Sequence, residues 1–138
     1  HLPEMKVAVV TCMDCRIDVE TMLGVEPGQI HVLRNAGGLV TPDTIRTLAA
    51  SQRSLGTKYV MLIQHTDCGM SKTDDEAFLA ELEKDTGQRP TWKPGGFKDV
   101  RESVRNNMKK LLDSPFVGGT VRGFVLDVKT ARLEEVTL

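Results

Sequence analysis

Short apolar runs separated by helix-length stretches constrain this chain more than any other feature. KVAVVT at 6–11 is rich in valine and carries no polar alternation. A strand of that kind is buried on both faces, as strands of a parallel sheet are. IHVLR at 30–34, YVMLIQ at 59–64 and VRGFVLDV at 121–128 supply three more strands.

Helical signals lie between them. Residues 17–23 fit a short helix stopped near Gly24. Over 43–55, Ile45, Leu48, Ala49 and Leu55 share one face. Thr41 suits the cap, Pro42 an early helical position and Gly56 the end. Thr73 with Glu76 has the pattern of a capping box for a helix reaching Lys84, with Phe78, Leu79 and Leu82 as its apolar stripe. Residues 86–96, TGQRPTWKPGG, are loop by composition. From Lys98 to Leu112 the helical period returns in Val100, Val104, Met108 and Leu111. VKTAR then turns the chain into a last strand, LEEVTL, antiparallel to the one before. The alternation predicts an α/β fold: a mostly parallel central sheet with an antiparallel edge strand, flanked by helices. No repeat, low-complexity tract or linker divides the chain, so residues 1–138 read as one domain.

Composition excludes several classes of function. Hydrophobic residues make up 40% and charged residues 27%, as in soluble globular chains. A net charge of -1 offers no basic surface for a phosphate backbone, which argues against nucleic acid as a partner. No run approaches the roughly eighteen apolar residues of a membrane span. HLPEMKVAVV shows no signal-peptide pattern. Cys12, Cys15 and Cys68 are an odd set, which speaks against a disulfide framework and for a reducing, cytoplasmic setting.

Two clusters carry chemistry. Cys12-Met13-Asp14-Cys15-Arg16 follows the first strand, and His65-Thr66-Asp67-Cys68 follows the third. Carboxyl ends of neighbouring strands in an open α/β sheet share one crevice, the usual ligand site. Cys12, His65 and Cys68 then offer two thiolates and an imidazole, a donor set that suits zinc. Three protein ligands leave a fourth position for water, the arrangement of catalytic rather than structural zinc. The ion lowers the pKa of bound water from about 15.7 to about 7, giving a strong nucleophile near neutral pH. Two thiolates predict a less acidic water than an all-histidine site would give. In extended backbone, residues 12, 14 and 16 project to one side, so Asp14 lies near the metal with Arg16 beside it. Asp14 can accept the nucleophile's proton in a hydrogen bond and point its lone pair at the substrate, or become a fourth ligand when Arg16 lets it go. The sequence allows both states and ranks neither.

Cys12-x-Asp14-x-Arg16, then Arg34-Asn35-Ala36-Gly37, then His65-x-x-Cys68-Gly69 closely resembles the β-class carbonic anhydrases, from Lys6 to Leu138. TDDEAFLAEL and RPTW resemble the short bacterial-type members. The resemblance implies one zinc ion (Zn2+) per subunit on Cys12, His65 and Cys68, and an Asp14–Arg16 catalytic dyad. It implies reversible hydration of carbon dioxide to bicarbonate and a proton, a small-molecule substrate, and a homo-oligomer, at least a dimer, with sites near the subunit boundary.

The chain departs from the family pattern in places. Family members usually carry helices before the first strand that embrace the partner, and this chain reaches its first strand at once. No residue matches the glutamine many members place in that arm. MSK, after Gly69, is short, and Cys15 stands where a small residue is common.

Other readings attach to single residues. Gly37 and Gly38 let backbone approach the pocket. Arg34 anchors a subunit interface or is a solvated charge. His31 is structural rather than a proton shuttle, and His1 has no role. Asp67 orients His65 or the loop, or is a surface carboxylate. Trp92 packs at an interface or in the core, and Lys109 and Lys110 face solvent. Rival functions are hydrolysis of carbonyl sulfide or carbon disulfide on the same scaffold, and a closed structural zinc module.

Overall fold

The computed structural model describes residues 2–138. The expectation for His1 lies outside them. Five strands form one sheet: β1 (Val7–Cys12), β2 (Ile30–Asn35), β3 (Tyr59–His65), β4 (Thr120–Leu126) and β5 (Leu133–Val136). Their order is β2-β1-β3-β4-β5. β1, β2, β3 and β4 pair in parallel, and β5 pairs antiparallel to β4. This is the expected α/β fold with an antiparallel edge strand.

The sequence positions the helices through local caps. α1 (Val19–Leu23) starts on Asp18, whose carboxylate accepts the Thr21 amide, and ends at Gly24 with φ +68°. α2 (Pro42–Arg53) begins with a capping box between Thr41 and Thr44. α3 (Asp75–Thr86) differs from the expectation at its start. Its cap is Asp74, which accepts the Ala77 amide. Thr73 instead donates its hydroxyl to Gly69 O, closing a 3-10 turn over Gly69–Lys72 that follows Cys68 directly. Glu76 reaches Arg89 rather than the cap. α4 (Val100–Asp113) starts on Asp99, which accepts the Arg101 and Glu102 amides.

Side-chain periodicity decides what each face buries. One sheet face packs Ala8, Val10, Leu62 and Val125 against Leu48 of α2 and Val104, Met108 and Leu111 of α4. The other gathers Val9, Ile63, Phe124 and Leu126 with Ile17, Val19, Cys12 and Cys68. Among the described residues only the short α1 and nearby loops cover this second face, and Val32 and Met61 stay partly exposed. The stripe Phe78–Leu79–Leu82 does not enter either core: α3 buries no residue, and Phe78 is 41% exposed. Trp92 is 57% exposed, so it is not a core residue.

The topology fixes where a site can form. β1 has β2 on one side and β3 on the other, so the chain reverses its direction of travel across the sheet at β1. The crevice at the carboxyl ends of β1 and β3 lies at that switch point. Thr11 of β1, fully buried, donates its hydroxyl to Ile63 O of β3 at 2.8 Å and pins the two strand ends together. Gly38 fits against this seam with φ +66°, and a Cβ there would sit 3.0 Å from the Thr11 carbonyl carbon and 3.1 Å from the Cys12 nitrogen. Both the left-handed backbone and the close approach require glycine. Gly38→Ala is therefore expected to lower the unfolding free energy by about 2 kcal/mol or more. Urea unfolding would read this as a lower midpoint at unchanged slope.

Candidate metal centre

Cys12 ends β1, His65 ends β3, and Cys68 follows one turn later. All three are buried, and their ligand atoms lie within 4.8 Å of one another. The two sulfurs are 3.9 Å apart and unbonded, so all three cysteines of the chain are free thiols. The His65 ring is oriented by its backbone. Nδ1 lies 2.7 Å from Thr66 O, and a carbonyl can only accept, so Nδ1 carries the proton. Nε2 is left with a lone pair facing the thiols. It is buried and has no hydrogen-bond partner. Orphaned buried nitrogen is rare in folded proteins, and a metal ion satisfies it. With two sulfurs beside it, this donor set fits zinc.

Electrostatics divide the thiols. Cys12 is pushed down, first by the hydrogen bond from Cys68 and further by His65 and the backbone near Asp14 and Gly37, against the cost of burial. Cys68 is pushed up because the Cys12 thiolate favours its protonated form and burial adds to this. The Gly37 amide points at Cys12 Sγ at 3.4 Å, which suits a thiolate. Burial pulls the His65 pKa down, but the Cys12 sulfur and the Thr66 carbonyl outweigh it and the net shift is upward.

Asp14 and Arg16 meet, though by a different route from the one expected. The backbone does not stay extended past Cys12; residues 15 and 16 turn. The Arg16 amide donates to Asp14 Oδ1 at 2.8 Å, and that local turn folds the side chain back. Arg16 Nε then donates to Oδ1 at 3.0 Å and Nη2 to Oδ2 at 2.7 Å. The paired bonds hold the Asp14 carboxyl well below the usual carboxylate range. Asp14 Oδ2 also stands 3.8 Å from His65 Nε2, at the edge of the trio. The structure thus shows Asp14 captured by Arg16.

Several side chains act where the sequence did not point. Arg34 is exposed, yet its guanidinium is engaged within the chain. It donates to the carbonyls of Cys12 (2.8 Å), Ile17 (2.9 Å) and Asp14 (2.7 Å), clamping the whole Cys12–Ile17 loop. The arginine was visible in the motif, but carbonyl targets leave no trace in residue identity. Asp67 does not touch His65; its carboxylate meets Arg16 and Lys72. His31 Nδ1 lies 2.7 Å from Ser51 Oγ, which lies 2.6 Å from Thr57 Oγ1, so it ties β2 to α2. Gln64 donates to Gly37 O at 2.8 Å and steadies the loop over Cys12. Cys15 is exposed.

A mostly parallel α/β sheet with a Cys2His trio at its switch point and a carboxylate–arginine pair beside it places the chain among α/β proteins with a three-donor site that could hold a metal ion. Comparison with known proteins makes this specific. The carbonic anhydrase family model matches residues 7–110. Beta-carbonic anhydrase 1 of Mycobacterium tuberculosis is 48% identical, over 98% of this chain and 84% of that protein. A carbonic anhydrase structure from Streptococcus mutans superposes with a TM-score of 0.93 at 39% identity, covering 99% of this chain and 84% of that one. A carbon disulfide hydrolase of Acidianus sp. (strain A1-3) is 31% identical, over 92% of this chain and 75% of that protein. The chain belongs to the carbonic anhydrase family, in its β class, whose members use zinc.

The thiol asymmetry has a measurable consequence. Zinc needs both sulfurs as thiolates, and Cys68 holds its proton through neutral pH because its pKa is raised. Binding must expel that proton, and any proton on His65 as well. Zinc affinity, measured by chelator competition between about pH 6.5 and about pH 7.5, is expected to rise about tenfold or more per unit. An affinity independent of pH would contradict the assignment of a protonated Cys68.

Proposed function

We propose that this chain catalyses the reversible hydration of carbon dioxide to bicarbonate and a proton, with Cys12, His65 and Cys68 holding one zinc ion per subunit and Asp14 and Arg16 as the catalytic dyad. The observation that carries it is the buried, unpartnered His65 Nε2 facing two sulfurs, with an ionised carboxylate alongside. Zinc held there would acidify a bound water from about 15.7 toward about 7, so that a nucleophile exists near neutral pH. The protein's own groups do the rest. Asp14, kept ionised by Arg16, accepts a hydrogen bond from the attacking water and aims its remaining lone pair at the carbon of the substrate. Arg16 holds that carboxylate back from the trio that would bind the ion. Cys12, supported by the Gly37 amide, and Cys68 supply negative charge that holds the ion.

Residues 1–138 act in this reading as one zinc domain, since both cores form on opposite faces of the same sheet. A dimer or larger homo-oligomer is supported by the thinly covered second sheet face and by Met13, 66% exposed beside the site. No helix among the described residues is long and apolar enough to cross a membrane. Free thiols as metal ligands favour the cytoplasm as the compartment.

Hydrolysis of carbon disulfide is the second reading, because relatives bearing that name are 31% identical over 92% of this chain and 47% identical over a stretch covering 55% of it. The 48% identity to a carbonic anhydrase over nearly the whole chain favours carbon dioxide. Stopped-flow hydration on protein of known zinc content, near pH 7 and again at about pH 8.5, tests the choice. Activity is expected to scale with zinc. Asp14→Ala should lose about a hundredfold or more, the cost of misplacing the nucleophile, and Cys68→Ala should lose zinc and activity together. Turnover of carbon disulfide but not carbon dioxide by zinc-replete protein would reverse the assignment.

A further inference from the structure

Two carboxylates share Arg16. Asp14 takes Nε and Nη2 along one edge of the guanidinium. Asp67 takes the other side: its Oδ2 accepts from Nη1 at 3.1 Å and its carbonyl from Nη2 at 2.9 Å. Lys72, from the 3-10 turn, donates to Asp67 Oδ1 at 2.7 Å. The backbone is bent to allow this. Asp67 has φ +53°, a left-handed conformation that side chains other than glycine adopt at a cost and that Asp and Asn tolerate best. That conformation turns both the carbonyl and the carboxylate of one residue toward one guanidinium.

We propose that Asp67 is a positioning residue for Arg16, and that Lys72 holds Asp67 in place, so that the arginine stays docked on Asp14. This deepens the function proposed above and rests on its placing of Asp14 and Arg16 at the metal. The physical reason is rotational. Arginine is long and flexible, and Arg16 is 45% exposed. A carboxylate on one edge leaves the guanidinium free to carry its partner outward. A second acceptor pair on the opposite side fixes its plane. Lys72 offsets the charge of placing a second carboxylate near Asp14, and it occupies the Asp67 oxygen that Arg16 leaves free. Asp67 does not touch substrate in this account; it acts through Arg16. The competing description is a pair of ordinary exposed ion pairs, which contribute little on their own.

The Arg16 Nε–H is observable by NMR in 15N-labelled protein, zinc-loaded or zinc-free, and its exchange with solvent reports docking without any turnover. Asp67→Asn suits the left-handed backbone and removes the charge. Lys72→Met leaves that backbone untouched and is made at an exposed residue, so it keeps the test alive should Asp67→Asn not fold. Exchange at Arg16 is expected to quicken about two- to fivefold in Asp67→Asn, the span of a lost exposed pair. A smaller increase is expected in Lys72→Met, and Lys72→Arg should return to the parent rate. The double variant should exchange no faster than Asp67→Asn alone, because Lys72 acts through Asp67. Carbon dioxide hydration should fall in kcat with KM unmoved. Unchanged Arg16 exchange in both single variants, or a fully additive double variant, overturns the proposal. A chain without hydration activity would sink the proposed function and leave the exchange measurement to decide this one.

Discussion

The parallel pairing of β1 with β3 sets Thr11 opposite Ile63, and the Thr11 hydroxyl bonds to the Ile63 carbonyl across that seam. Cys12 and His65 are the last residues of these two strands. Their distance is therefore set by sheet geometry, which is stiff, rather than by loops, which are not. Cys68 is then brought in by the turn at Asp67 and the 3-10 turn that follows. The remaining contacts refine a spacing that strand pairing has already imposed. Gly37 points its amide at one sulfur, Gly38 packs on the seam, and Arg34 holds three carbonyls of the loop after Cys12. A shift of either strand by one residue would turn the ligand side chains to the opposite face and dismantle the trio.

Charge is arranged in two shells with different tasks. The inner groups are Cys12, Cys68 and His65, all buried. Without a cation they cannot all ionise, and the structure answers with one lowered and one raised thiol. The outer groups are Asp14, Arg16, Asp67 and Lys72, in an alternating chain of ion pairs. Alternation lets a carboxylate stand 3.8 Å from His65 Nε2 while its charge is committed elsewhere. Each exposed pair is weak alone. Two of them on opposite sides of one planar guanidinium are more specific than their sum, because geometry rather than depth of attraction is what the site requires.

Most of the frame was legible in the residues. Valine-rich runs without polar alternation gave the parallel strands, and the ligand types at their carboxyl ends gave the site. The failures have a common origin. Thr73 and Asp74 are both good caps, and which one begins α3 was decided by the 3-10 turn, where Thr73 bonds to Gly69 O. Asp14 and Arg16 were expected together through strand alternation, yet an aspartate turn brings them together. Arg34 binds three backbone carbonyls, partners that every sequence has everywhere and that residue identity does not mark. The stripe on α3 has helical period but buries none of its residues among those described. Periodicity reports that a face is apolar and is silent on what covers it.

The two arginines of the site show why residue type alone underdetermines role. Arg34 spends its guanidinium on three carbonyl oxygens that cannot move without unwinding the loop, so it behaves as a fixed strut. Arg16 spends its own on two carboxylates and one carbonyl. Carboxylates sit on rotatable side chains, so these contacts can exchange without backbone change. In the proposed function, Asp14 must stay ionised beside the metal ligands, which needs a partner of the second kind held against a frame of the first kind. Arg34 bonds to the carbonyl of Asp14 while Arg16 bonds to its carboxylate, so one residue is fixed at its backbone by one arginine and aimed at its side chain by the other. That division lets a short, partly exposed loop hold a charge in place beside the buried Cys12–His65–Cys68 trio.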